Sequence, residues 1–203
     1  MSDNYMGNRD LPSNYSADHI PDHCNTSLWI FGLPSQITVH QLLKTIRGFG
    51  RIFAIHINEP EIDKGHFLAA AKVTFFEAAA AQRFLFKHRS SGLPVGSLIA
   101  SVRPNRVKVE EKQFSESCSR VIVAIGPREL TTQAWIHDQL RRRGIYYDID
   151  EILEHTNHPA GSARLEFRFG SYRGQASQAY RVLRGSEARE RGIVVFFGED
   201  PCA

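Results

Sequence analysis

Two short apolar segments, separated by forty residues, constrain the fold more than any other feature of this chain. The first is residues 28–33 (Leu-Trp-Ile-Phe-Gly-Leu) and the second is residues 68–75 (Leu-Ala-Ala-Ala-Lys-Val-Thr-Phe). Each has the length and composition of a β-strand, and each is followed by a stretch with helical periodicity. The two segments therefore predict neighbouring central strands of one sheet, with helices packed on one side of it.

The full order of predicted elements is strand, helix, strand, strand, helix, strand, and it occurs twice. Residues 26–109 hold the first copy and residues 120–203 the second, joined by a polar linker at 110–119. Residues 1–25, rich in Asn, Asp, Ser and Pro, predict a disordered arm. The sequence therefore predicts an α+β protein of two ferredoxin-like βαββαβ sandwiches in tandem, each a four-stranded antiparallel sheet backed by two helices.

Local signals place the elements within each copy. In the first copy the strands are predicted at 27–33, 51–58, 67–76 and 97–103, with 90–96 as a turn. Thr38 and Glu77 begin its helices, and Thr131 or Thr132 caps the first helix of the second copy. The strands of the second copy are predicted at 120–125, 146–153, 164–169 and 193–197.

Charge and cysteine content narrow the function classes. The net charge of +3 and pI of about 8.8 are compatible with nucleic acid without requiring it. Cys24, Cys118 and Cys202 are too widely spaced for a disulfide framework or a zinc pair. Residues 1–10 lack the apolar core of a secretory signal, and no window is apolar enough to span a bilayer. We therefore expect a nuclear or cytoplasmic protein that is not secreted and has no membrane partner.

Signals for catalysis or metal binding are weak. His19, His23 and Cys24, and likewise His155 and His158, do not supply four ligands at a zinc spacing. The sequence contains no nucleophile elbow, phosphate loop or paired-carboxylate arrangement. We therefore expect a non-catalytic protein without a metal, cofactor or small-molecule substrate.

Alternation along the strands of the first copy separates a buried face from an open face. Leu28 and Ile30 are expected to point at the helices, which leaves Trp29 and Phe31 on the open face. Aromatic rings stack on bases and cations contact phosphates, so such a face suits single-stranded nucleic acid. The candidate binding residues on or beside this face are Trp29, Phe31, His56, Asn58, Ala70, Lys72, Arg103, Arg106 and Lys108.

Residues 28–33 also resemble the first-strand motif of the RNA recognition motif (RRM) family, with Trp29 at its base-stacking position. The family's third-strand motif supplies two further outward aromatics, whereas those positions here are Ala70 and Lys72. The inward Val73 and Phe75 agree with the motif. The resemblance implies the RRM fold and binding of single-stranded RNA on the open sheet, with one or two rings in place of three.

The second copy resembles a divergent RRM. Ile122 is expected at the stacking position, with Val121 and Val123 inward. Asp148 and Asp150 are expected to repel phosphate, which favours a protein contact or a supporting role for this copy. Residues 168–172 and 197–202 resemble a fungal group of such proteins, and this likeness implies no pathway.

Two function classes stay open. The chain either binds single-stranded RNA through the first copy, or is an RRM-like protein-interaction module with little RNA affinity. In the second case Trp29 packs against protein, and the linker with its Phe114 is one candidate cover for Phe31. The basic run at 141–143 either complements a helix dipole or makes an accessory phosphate or localisation contact.

Overall fold

A computed structural model of the chain describes residues 19–155, 159 and 161–203. The chain forms two compact units. The first unit comprises the described residues up to Ile37 together with His56–Gln113, and the second unit comprises Thr38–Ile55 together with Phe114–Ala203. The segment Thr38–Ile55, although it belongs to the first copy by sequence, therefore has its contacts within the second unit.

The first copy forms a five-stranded antiparallel sheet with the strand order β2-β3-β1-β5-β4. Its elements are β1 Ser27–Leu33, α1 Val39–Lys44, β2 Ile52–Asn58, β3 Ala69–Phe75, α2 Ala78–His88, β4 Leu93–Val95 and β5 Leu98–Pro104. The strand β4 lies in the segment predicted as a turn and adds a fifth strand to the predicted four. A run of three residues is too short to be recognised as a strand from the sequence. In the structure Leu93 pairs with Ala100 of β5.

The second copy forms a four-stranded antiparallel sheet with the order β7-β8-β6-β9. Its elements are β6 Val121–Pro127, α3 Gln133–Arg142, β7 Ile149–His155, β8 Ser162–Phe169, α4 Ser177–Leu183, α5 Ser186–Glu190 and β9 Val194–Phe197. Ile136 of α3 and Leu183 of α4 pack on Phe167 and Phe169 of the sheet. The central strands are β1 and β3 in the first sheet and β6 and β8 in the second. The chain therefore has two RRM-like α+β folds in tandem.

The helix α1 begins where the sequence predicts, because Thr38 forms a capping box with Gln41. The Thr38 hydroxyl accepts a bond from the Gln41 N–H at 3.2 Å, and the Gln41 side chain accepts one from the Thr38 N–H at 3.0 Å. Leu42 and Leu43 are fully buried, and α1 packs against β7 within the second unit. Thr132, one of the two predicted alternatives, likewise caps α3.

The two faces of β6 are the reverse of the prediction. Ile122 lies in the core opposite Phe167, whereas Val121 and Val123 lie on the other face opposite Arg168 and Glu166. The reason is that residues 121–124 are all apolar and fully buried, so alternation in the sequence cannot fix the facing. The pairing with β8 decides it, because Leu165 and Phe167 of β8 lie in the core opposite Ala124 and Ile122.

Asp150 also differs from the prediction, because its side chain is buried. It accepts a bond from Arg120 Nη1 at 3.0 Å and lies 2.7 Å from His40 Nδ1. Arg120 is itself fully buried at the start of β6, and its Nε bonds Asp200 Oδ1 at 3.0 Å. Burial opposes the charged form of Arg120, but the carboxylates of Asp200 and Asp150 raise its pKa above the usual value. Asp150 therefore neutralises a buried cation and does not face a phosphate.

Part of the predicted N-terminal arm is ordered. Asp22–Cys24 forms one turn of 3-10 helix, Ile20 is buried, and Asn25 pairs with Glu110. Ile20 and Asn25 are buried, which the polar composition of this segment did not indicate, whereas His19 and residues 21–23 are exposed. The rest of that prediction, for residues 1–18, lies outside the described residues.

The described part of the chain holds neither a membrane-spanning helix nor a metal cluster. None of its helices has the length and apolar character needed to cross a membrane. No three of its His, Cys, Asp or Glu side chains lie together as a metal site would require, and His158 is outside this part.

Candidate nucleic-acid interface

The open face of the first sheet carries a row of three predicted residues. Trp29 on β1 lies directly opposite Lys72 on β3 and Arg103 on β5. Opposed residues of an antiparallel pair lie on the same face with Cβ atoms about 4.5–5.5 Å apart. The register therefore places one aromatic residue between two cationic residues, on three adjacent strands.

Phe31 forms a second row on the same face, because it lies two residues from Trp29 on β1. It is opposite Ala70 on β3 and Ser101 on β5. The guanidinium of Arg103 sits over the Phe31 ring, 4.7 Å from its centroid. This cation–π contact links the two rows and holds the flexible arginine against the sheet.

The opposite face of the same strands packs in the hydrophobic core. Leu28 and Ile30 on β1 are fully buried, and they lie opposite Val73 and Ala71, which are also fully buried. The phenyl ring of Phe84 on α2 covers this side with no exposed surface. The alternation predicted for β1 is therefore confirmed. Trp29 and Phe31 lie on the open face of a strand whose other face is buried in the core.

A cluster of buried polar groups bounds the open face beyond Trp29. Ser27 and Thr74, opposite one another in the next row, are 0% and 2% exposed. The Ser27 hydroxyl accepts bonds from Thr74 Oγ1 at 3.3 Å and from Asn105 Nδ2 at 3.1 Å. Ser27 and Thr74 are buried and their hydroxyl groups bond each other, so the accessible part of the face begins at the Trp29 row.

Exposed apolar side chains border the other end of this face. Ile99 shares the face with Arg103 along β5 and is 70% exposed, while Phe67 and Leu68 precede β3 and are 67% and 49% exposed. These three residues are not among the candidate binding residues predicted from the sequence, although strand alternation puts Leu68 and Ile99 in the outward set. An aromatic and aliphatic surface therefore continues past Phe31.

The remaining predicted residues are more dispersed. His56 is exposed and Asn58 half-buried on β2, the strand next to β3, and Arg106 is exposed just beyond β5. Lys108 instead donates to the Ile20 carbonyl at 2.7 Å and pairs with Asp22 at 2.8 Å. The bond from Lys108 lowers the pKa of the Asp22 carboxyl. The ammonium group of Lys108 therefore binds the segment 20–22 through one hydrogen bond and one ion pair.

The linker aromatic Phe114 packs within the second unit. Its ring centroid lies 5.3 Å from that of Phe53 and 5.6 Å from that of Tyr172. Arg51 adds polar contacts, since its Nη1 donates to the carbonyls of Glu116 and Cys118, each at 2.9 Å. The linker is thus held to the segment Thr38–Ile55 by both an aromatic contact and hydrogen bonds.

The second sheet has different residues at the equivalent positions. The Phe75 N–H bonds the Thr26 carbonyl at 3.0 Å, and the Phe169 N–H bonds the Arg120 carbonyl at 2.9 Å, which aligns the two sheets residue by residue. Thr26 corresponds to Arg120 in this alignment. Trp29 lies three residues after Thr26, and Val123 lies three residues after Arg120, so Val123 corresponds to Trp29. Its β8 partner Glu166 takes the place of Lys72. A valine and a carboxylate therefore replace the ring and its cation.

Ion pairs cover this face of the second sheet. Glu166 accepts a bond from Arg168 Nε at 2.6 Å and lies 3.3 Å from His155 Nε2. Arg168 reaches Glu151 on β7 at 2.7 Å, and Glu166 is only 8% exposed. The cations of this face are neutralised by their neighbours, which leaves little net attraction for phosphate.

Solved structures with two RRM domains are similar to this chain. The first two RRM domains of the yeast poly(U)-binding protein Pub1 match with 15% identity, covering 86% of this chain and 99% of that chain, at a TM-score of 0.34. The RNA recognition domains 1 and 2 of Sex-lethal from Drosophila melanogaster match with 16% identity, covering 86% and 100%, at a TM-score of 0.32.

A complex of RRM domains also matches over a shorter length. The PID-3 TOFU-6 RRM domain complex covers 46% of this chain and 91% of that chain, with 14% identity and a TM-score of 0.34. At TM-scores below 0.5 these likenesses have no bearing on function, and the fold rests on the strand order and register of each sheet. No family model matches the chain, and no curated protein is significantly similar to it.

Proposed function

We propose that the chain is a non-catalytic RNA-binding protein that holds a short single-stranded segment on the open face of its first sheet, in the nucleus or cytoplasm. The observation that supports this most is the row in which Trp29 lies between Lys72 and Arg103. A base stacked on the indole ring has a phosphate on each side. The row carries Lys72 on one side and, on the other, Arg103, whose guanidinium rests over Phe31. This arrangement suits a polyanion with flat bases better than it suits an apolar peptide.

Phe31 and Arg103 provide the second contact of the proposed site. Bases stack on aromatic rings and also on guanidinium planes. Because the Arg103 guanidinium already lies over Phe31, a second base stacks on the outer plane of that guanidinium or replaces it on the ring. Ala70, opposite Phe31, supplies no third ring, so the contact area is smaller than in a three-ring platform.

The expected affinity follows from these few contacts. Each stacked base contributes roughly 1–3 kcal/mol as measured by alanine substitution, and each neutralised phosphate adds a salt-dependent contribution. Two stacking positions and two cations therefore give weak binding that falls as salt rises. His56, Asn58 and Arg106 are proposed to extend the site along the strand.

The test is fluorescence anisotropy of the full chain with short labelled RNAs of mixed sequence, at low and moderate salt. Trp29→Ala is expected to weaken binding by roughly 5- to 150-fold, the equivalent of losing about 1–3 kcal/mol. Phe86→Ala is the matched control, because Phe86 is also an exposed aromatic, at 86%, but lies on α2. Equal affinities of the parent and Trp29→Ala, with both folded by circular dichroism, would contradict the proposal.

A second candidate function is a protein-interaction module. The exposed Phe67, Leu68 and Ile99 at the border of the face favour it, since apolar patches often mark protein contacts. It makes the opposite prediction about salt, because apolar contact does not weaken as salt rises. Absence of RNA binding by the full chain at high micromolar concentration would favour this function over the first.

A further inference from the structure

The second unit contains a cavity of about 540 Å³ beside the C-terminal half of α3. Its lining residues are Ala134, His137, Asp138, Arg141, Gly144, Ile145, Tyr146 and Tyr147. Ile145 is 8% exposed and belongs to the core of the unit, whereas Tyr146 at the opening is 92% exposed. The cavity therefore joins an apolar base to an aromatic ring that is open to solvent.

Three consecutive arginines lie at the C-terminal end of α3, and one of them, Arg141, lines the cavity. Asp138 accepts a bond from Arg141 at 2.9 Å and another from Arg142 at 2.6 Å, and Arg143 follows in the chain. The bond from Arg141 holds the pKa of the Asp138 carboxyl low, so the carboxylate keeps both guanidiniums in place. One acid against three arginines leaves an excess of two positive charges (3 − 1), and Arg141 remains 82% exposed.

A histidine and a tyrosine stiffen one wall of the cavity. The Tyr147 hydroxyl is hydrogen-bonded to His137 Nδ1, and the two rings are stacked with centroids 5.9 Å apart. The Tyr147 ring also packs edge-on against the buried Phe169 at 5.5 Å. Burial raises the pKa of Tyr147 still further above neutral pH. The wall is thus preformed, as ligand sites usually are.

We propose that this cavity is a second contact site for single-stranded RNA and holds one nucleotide. The base stacks on Tyr146, and Arg141 and Arg143 contact the phosphates that flank it. The volume lies within the roughly 300–1,000 Å³ of small-molecule sites. A run of acidic residues would use the arginines but has no flat group to cover the exposed ring, so the ring favours RNA over such a run.

The inference rests on the proposed function for the identity of the polymer, but not on the residues of the first sheet. Arg141, Arg142 and Arg143 also complement the dipole at the end of α3, which needs no ligand. The dipole does not account for an almost fully exposed tyrosine at the mouth of a cavity. The pairing of ring and cations is the same chemistry that the first sheet presents at Trp29, built here on a helix end and a loop.

The first test records amide chemical shifts of the full chain during titration with uridine 5′-monophosphate, adenosine 5′-monophosphate and a short single-stranded RNA. Shifts are expected at the amides of residues 134–147 with both nucleotides and at lower concentration with the RNA. A polyglutamate peptide is the comparison ligand. Shifts of these amides with the peptide but not with the nucleotides would overturn the inference in favour of an acidic partner.

The second test measures RNA affinity of full-length variants. Tyr146→Ala, and Arg141→Gln with Arg143→Gln, are each expected to weaken binding by at least fivefold, in the parent and in Trp29→Ala alike. Arg173→Gln with Arg189→Gln, two exposed arginines of the same unit, is the matched control and should change affinity less than twofold. Unchanged affinity of Tyr146→Ala overturns the inference, whereas an effect of Tyr146→Ala without one of Trp29→Ala overturns only the first-sheet site.

Discussion

Arg120 Nε donates a hydrogen bond to Asp200 Oδ1 at 3.0 Å, and neither side chain has any exposed surface. The same carboxylate accepts a bond from the Ile52 N–H at 2.9 Å and one from the Cys202 N–H at 3.0 Å. Asp200 thus connects the start of β6, the start of β2 and the C-terminal residues. These three parts of the chain are distant in sequence but share the second unit.

Replacement of Asp200 by alanine should destabilise the protein strongly, because Arg120 would keep a buried charge with one carboxylate fewer. Removing one partner of a buried ion pair costs about 3–5 kcal/mol. Urea unfolding of the full chain measures this change. Glu199→Ala is the control, because the neighbouring Glu199 is exposed and should shift the free energy of unfolding by less than about 0.5 kcal/mol. Similar midpoints for the two variants would show that Asp200 does not support the unit.

Stability should fall at alkaline pH because of Cys202. Burial raises the pKa of this thiol from 9.0 to about 12, and Arg120 offsets only part of that effect. The unfolded chain loses the proton first, so the stabilisation is complete below pH 9 and decreases as pH rises from 9 towards 12. The free energy of unfolding should then fall by up to about 1.4 kcal/mol per pH unit from this group.

The Cys202→Ala variant separates this contribution from others. Tyr172, whose pKa burial raises from 10.0 to about 12, contributes only from pH 10 upward. Between pH 9 and 10 the variant should therefore have the flatter dependence, whatever its stability at neutral pH. Chemical denaturation at closely spaced pH values gives both slopes, and parallel curves for parent and variant would exclude Cys202 as the source.

Lys72 should contribute to the salt dependence of RNA binding through its place beside Trp29. Neutralising one phosphate of a single strand changes the slope of log K against log salt by about 0.7. Lys72→Gln should reduce the slope by about that amount with little preference for RNA sequence. Anisotropy titrations at several salt concentrations measure the slope, and an unchanged value would remove Lys72 from the interface.

Lys108 should behave differently, because the structure pairs its ammonium with Asp22 and the Ile20 carbonyl. Lys108→Gln should leave the salt slope within error of the parent and change RNA affinity less than twofold. It should instead speed hydrogen exchange at Cys24 and Asn25, whose N–H groups form the bonds of the 3-10 turn. A reduced salt slope in this variant would place Lys108 on the RNA.

Much of the first copy was predictable from the sequence. The strand β1 has the predicted bounds, Ser27–Leu33, and Trp29 and Phe31 lie on the open face because each apolar neighbour faces the core. Helix starts at Thr38 and Thr132 followed from local capping chemistry, which acts over three or four residues. Such features depend on neighbours in the chain, so the sequence alone determined them.

Tertiary structure decided features that depend on partners far along the chain. Alternation could not orient β6, since Val121 and Ile122 are equally apolar, and the register with β8 did so. Nothing local in the sequence joins Arg120 to Asp150 and Asp200, or Lys108 to Asp22. Periodicity and capping report short-range geometry, whereas ion pairing and strand register follow from which distant residues folding brings within a few ångströms of each other.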